Sequence, residues 1–234
     1  MKESPGSAVW FAKQPQLPPE RRAEKAHVDD IAPVAGVDGL AIVPVRIRFG
    51  IESFGVNAYS AAAGGRVIEE HDETTAGAGR HEELYFVAEG HARFTLDGEE
   101  LDAPTGTFVF VSDPKVRRGA VAAGERTTVL VVGGVPGRPF QGSPWEAWLE
   151  AAPFLDAGEP ERAVEILERA LARYPGNPNV LYNLACVEAL AGRTDAALTH
   201  LADAVERDPR TREWAQTDSD FDSVRSDPRF PVTG

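Results

Sequence analysis

Gly158, Ala163, Ala170 and Pro175 recur as Gly192, Ala197, Ala204 and Pro209, every pair 34 residues apart. A repeat of that length holds one helical hairpin and too little apolar surface for its own core, so its copies must stack. The residue types suit that arrangement. Alanine lets the two helices of a hairpin approach closely, glycine supplies the turn between them, and proline ends the second helix because its ring cannot continue one. From Trp145 onward the apolar residues keep a helical period. The tail WAQTDSDFDSVRSDPRF (214–230) is expected to cap the stack, with Trp214, Phe221, Val224 and Phe230 covering the last apolar face.

Upstream the pattern changes. IVPVRIR (42–48), SFGVNAYS (53–60), ELYFVAE (83–89), HARFTLD (91–97), TFVFVS (107–112) and RTTVLVVG (126–133) are short, rich in Val, Phe, Tyr and Thr, and separated by Gly-containing or polar turns. Closely spaced strands with no helix period between them predict a sandwich or barrel. The expected organisation is an extended, proline-rich arm over 1–38, a β-barrel over 39–135, a Gly/Pro linker over 136–144, and a helical domain with a C-terminal cap over 145–234.

Two families are resembled. The 34-residue repeat resembles the tetratricopeptide repeat (TPR). The strand-rich part resembles the cupin superfamily: GEELDAPTGTFVFVSD supplies Gly98, Pro104 and Gly106 at the spacing of one cupin pattern, and Glu83 with Gly90 fits the second half of the other. The resemblance implies an α+β multidomain chain, with a double-stranded β-helix (cupin jelly roll) followed by an α-helical TPR hairpin array. It also implies a lumen that in many cupins holds a divalent metal on three histidines and a glutamate.

The departures from that pattern are specific. The histidine expected after Pro-x-Gly falls on Val109 and the asparagine on Asp113, and no histidine lies between His91 and His200. The His-x-His expected before Glu83 falls on Gly77 and Gly79, or on Ala76 and Ala78 with a longer spacer. The standard four-ligand cupin site cannot be assembled. A reduced one can be drawn from VIEEHDETTAGAGRHEELYF, with His71, Glu73, His81 and Glu83 as candidate ligands for Fe, Mn or Zn. His71 and Glu73 are two apart, as are His81 and Glu83, so on a strand each pair shares a face with its neighbours, Tyr85 included. The alternative is that EEHDE is an exposed acidic loop and His81 a strand-entry residue. Tyr85, Val109 and Val111 are candidate lumen residues for an apolar or aromatic ligand, or a core packed shut, and Arg117, of the pair Arg117–Arg118, could hold an anion at the barrel mouth.

No GxSxG elbow, P-loop, CxxC pair or HExxH is present. Cys186, in YNLACVEALAG, reads as a buried inert thiol. Asn179 and Asn183, one turn apart on the first helix of the second repeat, are candidates for a peptide-binding groove. The formal charge of −13 disfavours nucleic acid, no apolar run is long enough for a membrane helix, and the lone cysteine with no signal-like leader points to a cytoplasmic protein. The expected partners are a small molecule in the barrel, a protein or peptide on the helical segment, and a second copy in a homodimer. Three readings follow: a ligand-binding or regulatory barrel with an interaction module, a metal-dependent oxygenase- or isomerase-type enzyme, or a dimerisation scaffold.

Overall fold

The computed structural model describes residues 24–36, 39–75 and 78–231. Ten strands come first: β1 (Val34–Ala35), β2 (Ala41–Val43), β3 (Gly55–Ala62), β4 (Arg66–His71), β5 (Glu82–Glu89), β6 (His91–Leu96), β7 (Glu99–Pro104), β8 (Phe108–Val111), β9 (Arg118–Ala122) and β10 (Arg126–Gly134). They form two sheets, ordered β1-β2-β3-β10-β5-β8 and β4-β9-β6-β7, with antiparallel pairing throughout. The eight strands β3 to β10 cross between the sheets in the order that defines a jelly roll. β1 and β2 add a flange to one edge.

Alternation along the strands decides what faces the lumen. In β5 Glu83, Tyr85 and Val87 are buried while Leu84 is exposed; in β8 Val109 and Val111 are buried while Phe108 and Phe110 stand in solvent. The inward residues, with Val67, Phe94 and Val129, form the barrel core. Gly90 turns the chain between β5 and β6 at φ +76, where a Cβ would lie 2.0 Å from the Arg126 carbonyl oxygen. Only glycine fits there.

Two strand readings need correction. Residues 42–48 are not one strand: β2 stops at Val43, and Val45–Phe49 form the short helix α1. Pro44 has no N–H to continue the ladder and a fixed φ that starts a helix turn. β4, β7 and β9 were not legible as strands, because EELDAP is acidic and mostly exposed and RGAVA is built of small residues. Of the expected arm, residues 1–23, 37 and 38 lie outside the described residues. The described part packs on the barrel, with Ile31 buried against Val43 and Ala58.

The second half holds α2 (Glu146–Asp156), α3 (Pro160–Arg173), α4 (Pro178–Leu190), α5 (Thr194–Arg207) and α6 (Arg210–Thr217). The repeat maps onto two hairpins, α2–α3 and α4–α5. Gly158 and Gly192 adopt the same left-handed turn, at φ +73 each, and α3 and α5 end two residues before Pro175 and Pro209. α4 is buried on nearly every side, because it is sandwiched by both neighbouring hairpin helices and the tail. Phe221, Val224 and Phe230 are buried in that cap; Trp214 is 43% exposed and touches it edge-on through Tyr182. No helix among the described residues is long and apolar enough to cross a membrane.

The hairpins dock on the barrel. Leu149 and Ala152 of α2, with Trp145 and Trp148, pack on Val34, Ile42 and Ile47. Glu146 anchors the junction: its carboxylate accepts from Arg46 Nε at 2.9 Å and from the Ser143 backbone N–H at 2.9 Å.

In the helical half, Glu188 is 2% exposed and its carboxylate meets His200 Nδ1 at 2.7 Å. That hydrogen bond to Glu188 holds the His200 imidazole above its ordinary value of 6.5 despite partial burial. A raised folded-state value means the stabilisation is complete below the unfolded value and is lost as pH rises through the folded one. Urea midpoints are therefore expected to fall across that rise. His200→Ala should flatten the slope and cost about 1–3 kcal/mol for the carboxylate left buried; an unchanged pH profile in the variant would refute the pairing.

Candidate functional site

One end of the barrel collects polar side chains from both sheets. His71 is the last residue of β4, Glu73 lies in the turn after it, Glu83 and Tyr85 lie on β5, and Arg118 opens β9. His71 Nε2 lies 3.7 Å from Glu83 Oε2 and 3.8 Å from Glu73 Oε1. These three side chains each bring one donor atom within 4.8 Å of the others. They border a cavity of about 250 Å³, also walled by Tyr59, Tyr85, Ile68, Val131 and Trp145.

Each member is held. Glu73 donates its backbone N–H to the Pro114 carbonyl, and its Oε2 accepts the backbone N–H groups of Gly79 at 2.9 Å and His81 at 3.1 Å. The carboxylate thus organises the loop that carries it. His71 Nδ1 lies 2.7 Å from the Glu69 carbonyl oxygen and donates to it, leaving Nε2 toward the carboxylates. Glu83 Oε2 accepts from Tyr85 Oη at 2.5 Å and from Arg118 Nε at 3.1 Å, and Arg118 Nη2 lies 3.0 Å from the same oxygen but off the hydrogen-bond angle. Arg118 is fully buried; its Nη1 donates to the Val116 carbonyl at 2.7 Å and the Pro114 carbonyl at 3.2 Å.

The charges interlock. Burial alone would raise Glu83, but the adjacent His71 imidazole, the Tyr85 hydrogen bond and the Arg118 charge outweigh it and hold the carboxyl below its usual range. Burial would lower His71, yet the Glu83 carboxylate and Glu69 carbonyl hold the imidazole above its ordinary value. Burial and the neighbouring Glu83 charge push the Tyr85 hydroxyl well up, so it stays a donor. Arg118 cancels one of the two carboxylates. The remaining negative charge suits a proton on His71 or a bound cation.

Donors about 3.4 Å apart surround a tetrahedral ion at about 2.1 Å, close to the separations seen. His71, Glu73 and Glu83 therefore fit a divalent cation with positions left open. Such an ion supplies Lewis acidity toward an oxygen donor.

The candidate residues divide. His71, Glu73, Glu83 and Tyr85 meet at the cavity. His81 stands outside the three-donor group; it borders a small neighbouring cavity together with Glu73 and Glu83, with Nδ1 at 3.8 Å from Glu73 Oε2 and its ring 5.5 Å from that of Phe140. Like Glu83 and Tyr85 it is buried, so the inward alternation extends one step before β5. Val109 and Val111 pack in the core beneath the cavity and do not line it. Arg117 points outward and pairs with Glu70 on the surface; the one-residue shift along β9 gives the interior position to Arg118. Of the positions aligned with the missing His-x-His, Ala76 and Gly77 lie outside the described residues. Asn179 and Asn183 are half-buried on α4 and line no described cavity. Sequence reasoning missed Arg118, Tyr59 and Trp145 as site residues; only the Arg117–Arg118 pair carried a signal. A second cluster, Cys186 with Asp218 and Asp220, is internally satisfied, since Asp218 accepts from Tyr182 Oη at 2.8 Å and from the Cys186 thiol.

The chain is thus an eight-stranded jelly roll carrying docked helical hairpins. Residues 154–217 match the tetratricopeptide repeat family model. Among solved structures the barrel is similar to a cupin-superfamily sugar phosphate isomerase from Silicibacter pomeroyi, at 21% identity over 47% of this chain and 74% of that one, with a TM-score of 0.40. It is similar to a cupin protein from Bacteroides fragilis at 18% identity, over 47% and 87% of the two chains, with a TM-score of 0.35. An RmlC-like cupin from Shewanella frigidimarina matches at 16% identity, over 48% and 91%, with a TM-score of 0.36. A further solved structure, from Acidithiobacillus ferrooxidans, is matched over 59% of its own length. No curated protein matches the sequence. The barrel's assignment rests on its own strand order.

The buried ion pair has a measurable weight. Arg118→Ala leaves Glu83 desolvated without its cation and is expected to cost about 3–5 kcal/mol, read from urea unfolding. The double variant Arg118→Met, Glu83→Gln should recover much of that loss; equal destabilisation by both would show that Arg118 acts by packing alone.

Proposed function

We propose that the barrel binds a small, partly apolar molecule through a divalent cation (Fe, Mn or Zn) held by His71, Glu73 and Glu83. The observation that carries this reading is the convergence of one imidazole and two carboxylates on the wall of a cavity whose other walls are Tyr59, Tyr85 and Trp145. The cation meets an oxygen donor of the ligand, and the aromatic walls take its apolar part. The helical segment serves as an interaction module whose first helix is committed to the barrel, leaving α3, α5 and the cap for a protein partner. The lone, buried Cys186 accords with a reducing, cytoplasmic setting.

Protein purified without chelator is expected to carry close to one equivalent of transition metal per chain, measured by elemental analysis. His71→Ala with Glu83→Ala should remove it. Metal-free wild-type protein that takes up no Fe, Mn or Zn on dialysis would end the cation reading. The second reading, an oxygenase- or isomerase-type enzyme, draws on the same convergence, since His71 and Glu73 offer an acid and a base beside the cavity.

A homodimer is part of the proposal. Phe108 and Phe110 are 64% and 58% exposed on the edge strand β8, beside the outward Leu84 and Phe86 of β5. An apolar strip on a sheet edge favours association, and a second copy offers the same strip across a two-fold axis. Light scattering is expected to show a dimer that Phe108→Ser with Phe110→Ser converts to monomer; a wild-type monomer at working concentration would remove the dimer from the proposal.

A further inference from the structure

The loop that places Glu73 has a second, outward face. Arg80 sits in it between Gly79 and the buried His81 with φ +59, a left-handed conformation shared among the described non-glycine residues only with Asp97. A side chain in that region costs about 1–2 kcal/mol, and strain of this kind collects where a residue must be aimed. The Arg80 guanidinium makes no ion pair or side-chain hydrogen bond among the described residues, although its backbone N–H donates to the Glu73 carbonyl at 3.1 Å.

Arg80 borders a cleft of about 660 Å³ between the barrel and the helices. Arg138 and Gln141 of the linker border the same cleft, as does Tyr174 at the end of α3. Arg138 is likewise without an ion pair among the described residues. Beyond Tyr174, Arg173 belongs to a neighbouring mixed group with Arg46, Glu146 and Glu150 and not to this cleft. None of the described residues lining this cleft is acidic, in a chain with 37 acidic side chains against 24 basic ones. Arg117 and Arg126 pair with Glu70 and Asp29 on the surface, while Arg93, Arg169, Arg207 and Arg212 are exposed without an ion pair among the described residues, so what distinguishes Arg80 and Arg138 is that both border one cleft. The walls are also fixed: Pro136, Pro139 and Pro144 hold the linker's backbone, and the Tyr174 hydroxyl donates to the Gly142 carbonyl.

We infer that this cleft is a binding site for a small anion bearing phosphate or carboxylate groups, gripped by Arg80 and Arg138. Guanidinium groups present paired donors that match either group bidentately, and the cleft volume is that of a small-molecule site. Val135 and the prolines take the remainder of the ligand. The site is separate from the cation cavity but shares its loop. Gly79 borders the cleft while its N–H holds the Glu73 carboxylate, so the two sites adjoin through residues 79–81. The inference stands whether or not the cavity holds a cation.

Titration calorimetry of the full chain with inorganic pyrophosphate, and separately with citrate, tests it. One of the two is expected to give saturable one-site binding that weakens at higher salt, and which one does so decides between phosphate and carboxylate. Arg80→Gly suits the left-handed backbone and should leave thermal stability unchanged or raised, while weakening binding at least about tenfold. Arg138→Gln should weaken it similarly, and the double variant should abolish it, with metal content unaltered in every case. No saturable binding of either anion, or affinity untouched by both substitutions, overturns the assignment. Wild-type protein that binds the anion but takes up no metal would count against the cation reading alone.

Discussion

A fully buried guanidinium joins the two sheets of this barrel at the end that holds the cavity. Arg118 rises from β9 in one sheet and meets Glu83 on β5 in the other, with the Tyr85 hydroxyl on the same carboxylate oxygen. Taking both charges out of water costs several kcal/mol each, so the pair persists only because the Val116 and Pro114 carbonyls occupy further donors of the arginine. Once Glu83 is held in its charged form, His71 and Glu73 gather around it, and the cavity acquires a polar floor beneath aromatic walls.

The same end of the barrel is where the helical segment docks. Trp145 contributes to the cavity wall, and Glu146, the next residue, ties α2 to Arg46 and Ser143. The repeat segment is therefore continuous with the site. Loosening α2 would uncover Val34, Ile42 and Ile47, and Ile42 and Trp145 belong both to the docking contact and to the cavity wall.

Much of the architecture was legible in the residues. The 34-residue offset located both hairpins, and Gly158 and Gly192 adopt the same left-handed turn. Period-two patterning located most strands of the barrel, including both that carry Glu83 and Val109. What escaped detection was short or chemically plain: β7 is acidic because it is exposed, β9 is small because it packs closely, and Pro44 turns an apparent strand into a helix. At the site, His71, Glu73, Glu83 and Tyr85 were legible from spacing on or beside strands. Arg117 was preferred to Arg118 in a pair that sequence treats as equivalent, and Val109 and Val111 lie in the packed core, the second of the two places left open for them.

The sequence by itself determined the class of each half, because periodicity and turn residues act over a few neighbours and need no knowledge of distant partners. It also showed that the standard set of three histidines and a glutamate is not at its pattern positions, since Val109 stands where one imidazole is expected. Tertiary structure alone decided which titratable groups meet. Residues far apart in the chain, such as His71, Glu83 and Arg118, come together only when two sheets close, and the side of a strand on which an arginine falls depends on register. Register is settled by burying one whole face of a strand against the core, and that balance belongs to the assembled barrel.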